Sequence, residues 1–266
     1  MTKIREPAVA GMFYPGEAGE LRTMIQAFMD CTPSRPGPAP KALIAPHAGY
    51  VYSGPVAASA YASLYPHRDQ YTRVVLLGPS HRVPVRNLAT SSADVFRTPL
   101  GDVPVDREAI AAVNRPEMAV LEAAHQLEHS LEVHLPFLQV VLGSFTLVPL
   151  VVGDATPDSV ARLLDRLWGG PETLIVVSSD LSHYLAYGEA VNRDRRTCEA
   201  IERLDESGIG YDDACGATPV RGLLVAARRR AMQVKTLDLR NSGDTAGGRD
   251  RVVGYGAWTF INPAGP

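Results

Sequence analysis

The sequence predicts an α/β protein: a single-domain three-layer α/β/α arrangement over residues 1–266 with a central, mostly parallel or mixed sheet. Two observations predict the layers. Short apolar runs closed by Gly or Pro alternate with segments that carry apolar residues at helical spacing, and that alternation is what a doubly wound sheet requires. A third observation predicts one domain: no stretch reads as a linker with a self-sufficient core on each side, and 266 residues suffice for one large α/β unit.

Residues 5–16 carry Pro7, Gly11, Pro15 and Gly16 and read as irregular. Residues 18–29 place Leu21, Met24, Ile25 and Phe28 on one helical face. The Pro-rich stretch TPSRPGPAP at 32–40 is a connector. It leads into a strand at 42–45, which stops at Pro46 and delivers His47 into a turn. A helix over 53–64 follows, its Ala57, Ala58, Ala60 and Ala62 small enough for close approach to the sheet. The next strand, 74–77, is broken by Gly78 and Pro79, with His81 just beyond. Segments 88–91 and 94–97 read as strand or loop, 100–105 continues them, and Asp106 is placed to cap a helix over 107–113. Strand 145–152 ends at Gly153, and 156–168 is amphipathic through Val160, Leu163, Leu164 and Leu167. Strand 174–177 runs into Ser178, Ser179, Asp180 and His183. A charged helix over 189–204, a turn at 211–216 and a helix opening at Thr218 and Pro219 come next. Two final strands, 234–239 and 252–261, are joined by NSGDTAGG at 241–248, flexible by composition.

The formal charge of -3 supplies no basic footprint, so nucleic acid is not the expected partner. No apolar run is long enough to span a bilayer, and the N-terminal stretch has neither the apolar core nor the cleavage pattern of a secretory signal, so no membrane association and a cytoplasmic address are expected. Cys31, Cys198 and Cys215 are widely spaced and without a C-x-x-C pair, which argues against a disulfide framework and a zinc ribbon. Oligomeric state leaves no signature in the chain.

In open α/β sheets ligands bind beyond the carboxyl ends of the strands. Three of the seven histidines, His47, His81 and His183, follow strand ends directly, so neighbouring strands can bring them together. Cys215 lies just before a helix start, where the helix dipole favours a thiolate. With His47 and His81 it would give a two-nitrogen, one-sulfur metal site with an open position, the arrangement of catalytic ions. The alternative is an inert buried thiol, which is also the reading for Cys31 and Cys198. His183 follows Asp180 by three residues and can act as general acid or base with that carboxylate fixing its tautomer; Asp180 can equally cap the next helix while His183 faces solvent. The stretch 125–129, HQLEH, matches the inverted zinc-peptidase pattern, but no downstream carboxylate ligand completes it. Glu128, His129 and His134 can instead line the pocket, and His67 reads as a surface residue.

The chain resembles the MEMO family (the AmmeMemoRadiSam system protein B-like proteins). EPAVAGMFYP at 6–15, APHAGYVYSGPVAA at 45–58, LLGPSH at 76–81, EHSLEVHLPFLQ at 128–139, SSDLSHY at 178–184 and DACG at 213–216 carry the resemblance across essentially the whole chain. It implies a fold like that of the class III extradiol ring-cleaving dioxygenases, with His47, His81 and Cys215 where the family places its metal ligands and His183 where the related dioxygenases handle the substrate proton. Those dioxygenases use a carboxylate as third ligand; DACG supplies sulfur, which shifts preference from Fe(II) toward zinc, copper or a differently tuned iron. The expected cofactor is a divalent or redox metal ion, iron first and zinc or copper next. The expected function is iron-dependent oxidation of a small molecule, with a non-catalytic metal- or peptide-binding module and a zinc-dependent hydrolase as alternatives.

Overall fold

The computed structural model describes residues 2–33, 37–113 and 118–263. A two-residue strand β1 (Ile4–Arg5) precedes helix α1 (Ala18–Asp30), strand β2 (Ala42–Ala45), helix α2 (Tyr50–Ala62) and strand β3 (Arg73–Pro79). Short strands β4 (Leu88–Thr90), β5 (Val95–Thr98) and β6 (Gly101–Pro104), helix α3 (Arg107–Ala112), strand β7 (Met118–Val120) and helices α4 (Ala123–Gln126) and α5 (Leu135–Leu142) follow. The second half runs β8 (Thr146–Val152), α6 (Pro157–Leu167), β9 (Thr173–Ser178), β10 (His183–Leu185), α7 (Tyr187–Glu202), α8 (Ala217–Arg229), β11 (Gln233–Asn241) and β12 (Val252–Ile261).

The main sheet runs β10-β12-β2-β9-β3-β8-β4-β7, with β11 on the other edge of β12. β2, β9, β3 and β8 are mutually parallel, whereas β12 and β4 flank them antiparallel, so the sheet is mixed around a parallel centre. Val, Leu, Ile and Ala fill the central strands, all of them withdrawn from solvent, as a sheet covered on both faces demands. α1, α2 and α5 pack together as one layer, α6 and α8 as another, and α7 lies on the β11–β12 hairpin. β1, β5 and β6 form a small separate sheet. A single hydrophobic core joins these elements, and no helix among the described residues is long and apolar enough to cross a membrane.

Most predicted elements appear within a residue or two, and Asp106 caps α3 by accepting from the Ala109 amide at 2.8 Å. Three places differ. α2 begins at Tyr50, because the Phe13 carbonyl takes the Tyr50 amide at 2.7 Å and fixes the first turn ahead of Pro55. α8 begins at Ala217, so Pro219 sits inside its first turn, where the missing amide costs no helical bond. The stretch at 241–248 is a capped turn, with Asn241 and Asp244 each accepting from the other's end of it. Of the connector expected at 32–40, residues 34–36 lie outside the described residues.

Register positions the functional rim. Ile44 pairs with Val177, and Val177 with Leu77, so β2, β9 and β3 end side by side. His47, Asp180 and His81, three or four residues further along each chain segment, therefore reach one edge of the sheet.

Candidate metal centre

His47 is buried, and its two ends are held by β9 and the turn after it. Its amide donates to Asp180 Oδ1 at 2.7 Å, and its Nδ1 lies 2.6 Å from Ser178 Oγ. Ser178 gives its single hydroxyl proton to the Ser130 carbonyl at 2.6 Å. It can only accept from His47, so His47 carries its proton on Nδ1 and turns an open Nε2 lone pair outward. Burial, with His81 and His129 beside it, lowers the His47 pKa well below the usual histidine value and keeps the ring neutral.

His81 is oriented the same way by a different partner. Its amide and its Nδ1 both lie against Glu128, at 2.6 and 2.9 Å, and the amides of His129 and Ser130 donate to the same carboxylate, each at 2.9 Å. Burial alone would raise the Glu128 pKa, but the His81 side chain and these amides hold it down at about 2. An ionised carboxylate accepts the Nδ1 proton, leaving the Nε2 of His81 bare. Gly78 makes the approach possible: a Cβ there would stand 2.7 Å from Ser130 Oγ and 2.9 Å from Leu131 Cδ2.

The two rings meet at 5.1 Å between centroids, and His129 joins them, 4.6 Å from His81 and 5.4 Å from His47. One ring nitrogen from each of the three falls within a mutual 4.8 Å, a cluster able to hold a metal ion. His129 Nδ1 is buried without a hydrogen bond, and Phe13 packs on its ring at 4.8 Å. Cys215 Sγ lies 3.3 Å from His47 Nε2 and accepts from the Asp180 amide at 3.3 Å. Donors about 2.1 and 2.3 Å from one tetrahedral ion stand roughly 3.5 Å apart, so this nitrogen–sulfur pair fits a shared ion. Burial, then the Asp180 carboxylate, pushes the Cys215 thiol up, against the thiolate expected from the helix start. Without a cation, desolvation outweighs the dipole. The residue after it is glycine because a Cβ at Gly216 would come within 2.6 Å of the Ser178 carbonyl.

Asp180 is buried, and its pKa is raised to about 6 by that burial, the His47 amide opposing the shift. His183 stands exposed on β10, its Nδ1 donating to the Leu181 carbonyl at 2.8 Å. Its tautomer is thus set by Leu181, while the Asp180 carboxylate serves the His47 amide. A cavity of about 360 Å³ opens beside Cys215, walled by Pro79, Ser80, Val85, Tyr211 and Thr218.

The zinc-peptidase pattern at 125–129 does not form a site. α4 stops at Gln126, and His125 turns away to meet the Ala89 carbonyl at 3.2 Å and the Phe96 ring at 5.9 Å. Only Glu128 and His129 of that stretch reach the cluster. His134 is buried elsewhere, its Nδ1 on Tyr61 Oη at 2.6 Å. What holds the 128–132 loop in place is Arg5, which pairs with Glu132 and donates to the carbonyls of His125 at 3.0 Å and Glu128 at 2.5 Å. Glu132 in turn accepts from the Ala8 and Val9 amides and from Tyr14 Oη at 2.7, 3.0 and 2.5 Å. Sequence reasoning misses Arg5 and Glu132: Glu132, between Leu131 and Val133, carries a signal, whereas Arg5, with Lys3 and Glu6 beside it, reads as an ordinary surface charge.

A mixed α/β sheet with His47 and His81 beyond its strand ends, and His129 beside them, defines an α/β protein whose pocket carries a histidine cluster able to hold a metal ion. The Memo-like protein family model matches residues 5–259, and the chain belongs to that family. Its relatives include MEMO1 family proteins of Aeropyrum pernix, 40% identical over 96% of this chain and 99% of the relative, and of Methanopyrus kandleri, 38% identical over 96% and 98%. A MEMO1 family protein of Aquifex aeolicus is 35% identical over 97% of this chain and all of its own length.

Proposed function

We propose that the chain is a metal-dependent oxidoreductase acting on a small molecule, in the cytoplasm, with His47, His81 and Cys215 as ligands and iron as the first candidate ion. The observation that supports it is the matched pair of imidazoles: Ser178 and Glu128 fix both Nδ1 protons, so both Nε2 lone pairs are presented without rearrangement. Iron bound there would supply the chemistry of O2 activation. The chain's own residues would exclude water around His47, hold the ligands' tautomers, and offer His183 Nε2 as proton acceptor or donor at the exposed edge, with Asp180 steadying the His47 turn. The cavity beside Cys215 is of a size for a small ligand and has an apolar wall. The sulfur donor favours a second reading, zinc-assisted hydrolysis, in which His183 would serve a water molecule.

Metal content of the anaerobically purified protein, in wild type and His47→Ala, tests the proposal. Stoichiometric iron lost in the variant, followed by oxygen consumption with catechols, is the expected result. Zinc in place of iron supports the hydrolytic reading. Absence of metal from both proteins would leave a non-catalytic binding module.

A further inference from the structure

A tyrosine and a histidine meet in the layer of α2 and α5, away from the metal centre. Tyr61 is fully withdrawn from solvent, and its hydroxyl lies 2.6 Å from His134 Nδ1, its one hydrogen-bond partner among the described residues. The hydroxyl therefore donates to Nδ1, because a proton on Nδ1 would strand the phenolic one. His134 carries its own proton on Nε2, which is buried and makes no hydrogen bond among the described residues. Phe and Leu in these two places would leave nothing unsatisfied, so packing alone does not account for the pair.

Ring contacts join the pair to the histidine cluster. Phe13 packs on His129 at 4.8 Å and is followed directly by Tyr14; Tyr14 meets Tyr50 at 5.4 Å, Tyr50 meets Phe137 at 5.0 Å, and Phe137 stacks on Tyr61 at 5.1 Å. The three tyrosines differ in where a hydroxyl proton can go. Tyr50 donates to the Val133 carbonyl at 2.6 Å, which is no base. Tyr14 donates to Glu132, a carboxylate already held by Arg5 and two amides, and protonating it would strand the buried guanidinium. Tyr61 faces a neutral imidazole whose lone pair has no other claimant.

We propose that Tyr61 and His134 form a redox-active pair, reached through these rings, that stores one oxidising equivalent arising in the pocket. The oxidant is a one-electron acceptor, the ion of the metal reading above once O2 or a peroxide has oxidised it, so the source of the equivalent rests on that reading. Tyr61 gives one electron to it, the phenolic O–H bond breaks, and the proton passes to His134 Nδ1, leaving a neutral tyrosyl radical beside an imidazolium. One electron returned by a thiol or another small reductant brings the proton back and restores the phenol. Burial lowers His134 to about 3, yet a one-electron-oxidised phenol is a far stronger acid than imidazolium, and the proton still moves to nitrogen.

Electron paramagnetic resonance tests the pair on wild type, Tyr61→Phe and His134→Gln. In one arm, with a chelator present, a photoexcited ruthenium complex and an electron acceptor oxidise the protein without any metal centre. A tyrosyl signal outlasting those of the exposed Tyr52, Tyr65, Tyr184 and Tyr211 is expected in wild type. It should be lost in Tyr61→Phe and short-lived in His134→Gln, whose amide accepts the hydrogen bond but cannot take the proton. A persistent signal of full size in Tyr61→Phe, an unchanged lifetime in His134→Gln, or no persistent signal in wild type would overturn the pair. Thermal midpoints identify a misfolded variant, and the two variants report independently. In the second arm the iron-loaded protein meets hydrogen peroxide, and the same signal is expected. Its absence there, with the flash signal intact, would overturn delivery from the pocket. A wild type that takes up no iron yet gives the flash signal would overturn the metal reading and leave the pair standing.

Discussion

His81 and Glu128 are joined twice, through the amide and through Nδ1 of the histidine, at 2.6 and 2.9 Å, although 47 residues separate them. The carboxylate fixes both where the β3 turn lies and which nitrogen of the ring is bare. Glu128→Gln keeps one acceptor oxygen but turns an NH2 toward a donor. Metal affinity should fall about 10- to 100-fold, measured by chelator competition. Unchanged affinity would mean that the ring does not depend on Glu128 for its tautomer.

Ser178 does the corresponding work for His47, and Ser178→Ala breaks two bonds at once. The Ser130 carbonyl loses its donor and His47 Nδ1 its acceptor. Chemical unfolding should show a loss of about 1–3 kcal/mol, with metal affinity reduced about 10-fold or more. Ser178→Thr keeps the hydroxyl and should restore most of the affinity.

The Arg5–Glu132 pair is fully enclosed, so removing one partner strands the other. Arg5→Met should cost about 3–5 kcal/mol of stability and weaken metal binding as the 128–132 loop shifts. A variant whose unfolding midpoint stays within a degree of wild type would show that the loop is held by packing instead.

His125→Asn separates the observed site from the zinc-peptidase pattern. His125 faces Ala89 and Phe96, away from the cluster, so metal content should match wild type while stability drops. Loss of metal in a folded His125→Asn protein would restore the pattern as a binding motif.

Acid should destabilise the metal-free protein early. Burial lowers His125 and His129 to about 4 and His134 to about 3, and takes His47 down as well. Their folded values lie below the unfolded 6.5, so the stability they contribute is complete above pH 6.5 and drains as pH falls toward 4. Each adds a slope of about 1.4 kcal/mol per pH unit in that window. Glu128, lowered to about 2, adds its own loss only below pH 4.5. Asp180 runs the other way: raised to about 6, it destabilises as pH climbs through 4 to 6 and partly offsets the histidines. Unfolding free energies from pH 7.5 to 4 should show a net fall; a flat profile down to pH 4.5 would contradict the neutral, buried state of these rings.

His47, His81 and the residues after β9 were legible because each follows an apolar run cut short by Pro, Gly or Ser, a local signal that needs no knowledge of the fold. His129 is legible only as one of three candidate pocket residues, with Glu128 and His134, because it lies in an irregular loop placed by contacts with Arg5, far away in sequence. The sequence leaves Asp180 open between orienting His183 and capping the next helix; register puts its carboxylate on the His47 amide, 133 residues away. The helix start favours a thiolate at Cys215, with an inert buried thiol as the alternative; burial, which decides for the thiol, appears only once β9 and α8 have packed.

β2 lies within residues 42–45, yet its two neighbours are β9 and β12, the second of which is the last strand among the described residues. During synthesis an apolar strand, with backbone donors and acceptors open along both edges, must wait until the chain has emerged through Ile261. Such a segment is prone to pair with other chains in the interval. The molecule is therefore expected to fold late and all at once, to be intolerant of C-terminal truncation into β12, and to draw on chaperones while nascent even though the finished sheet leaves β2 no free edge.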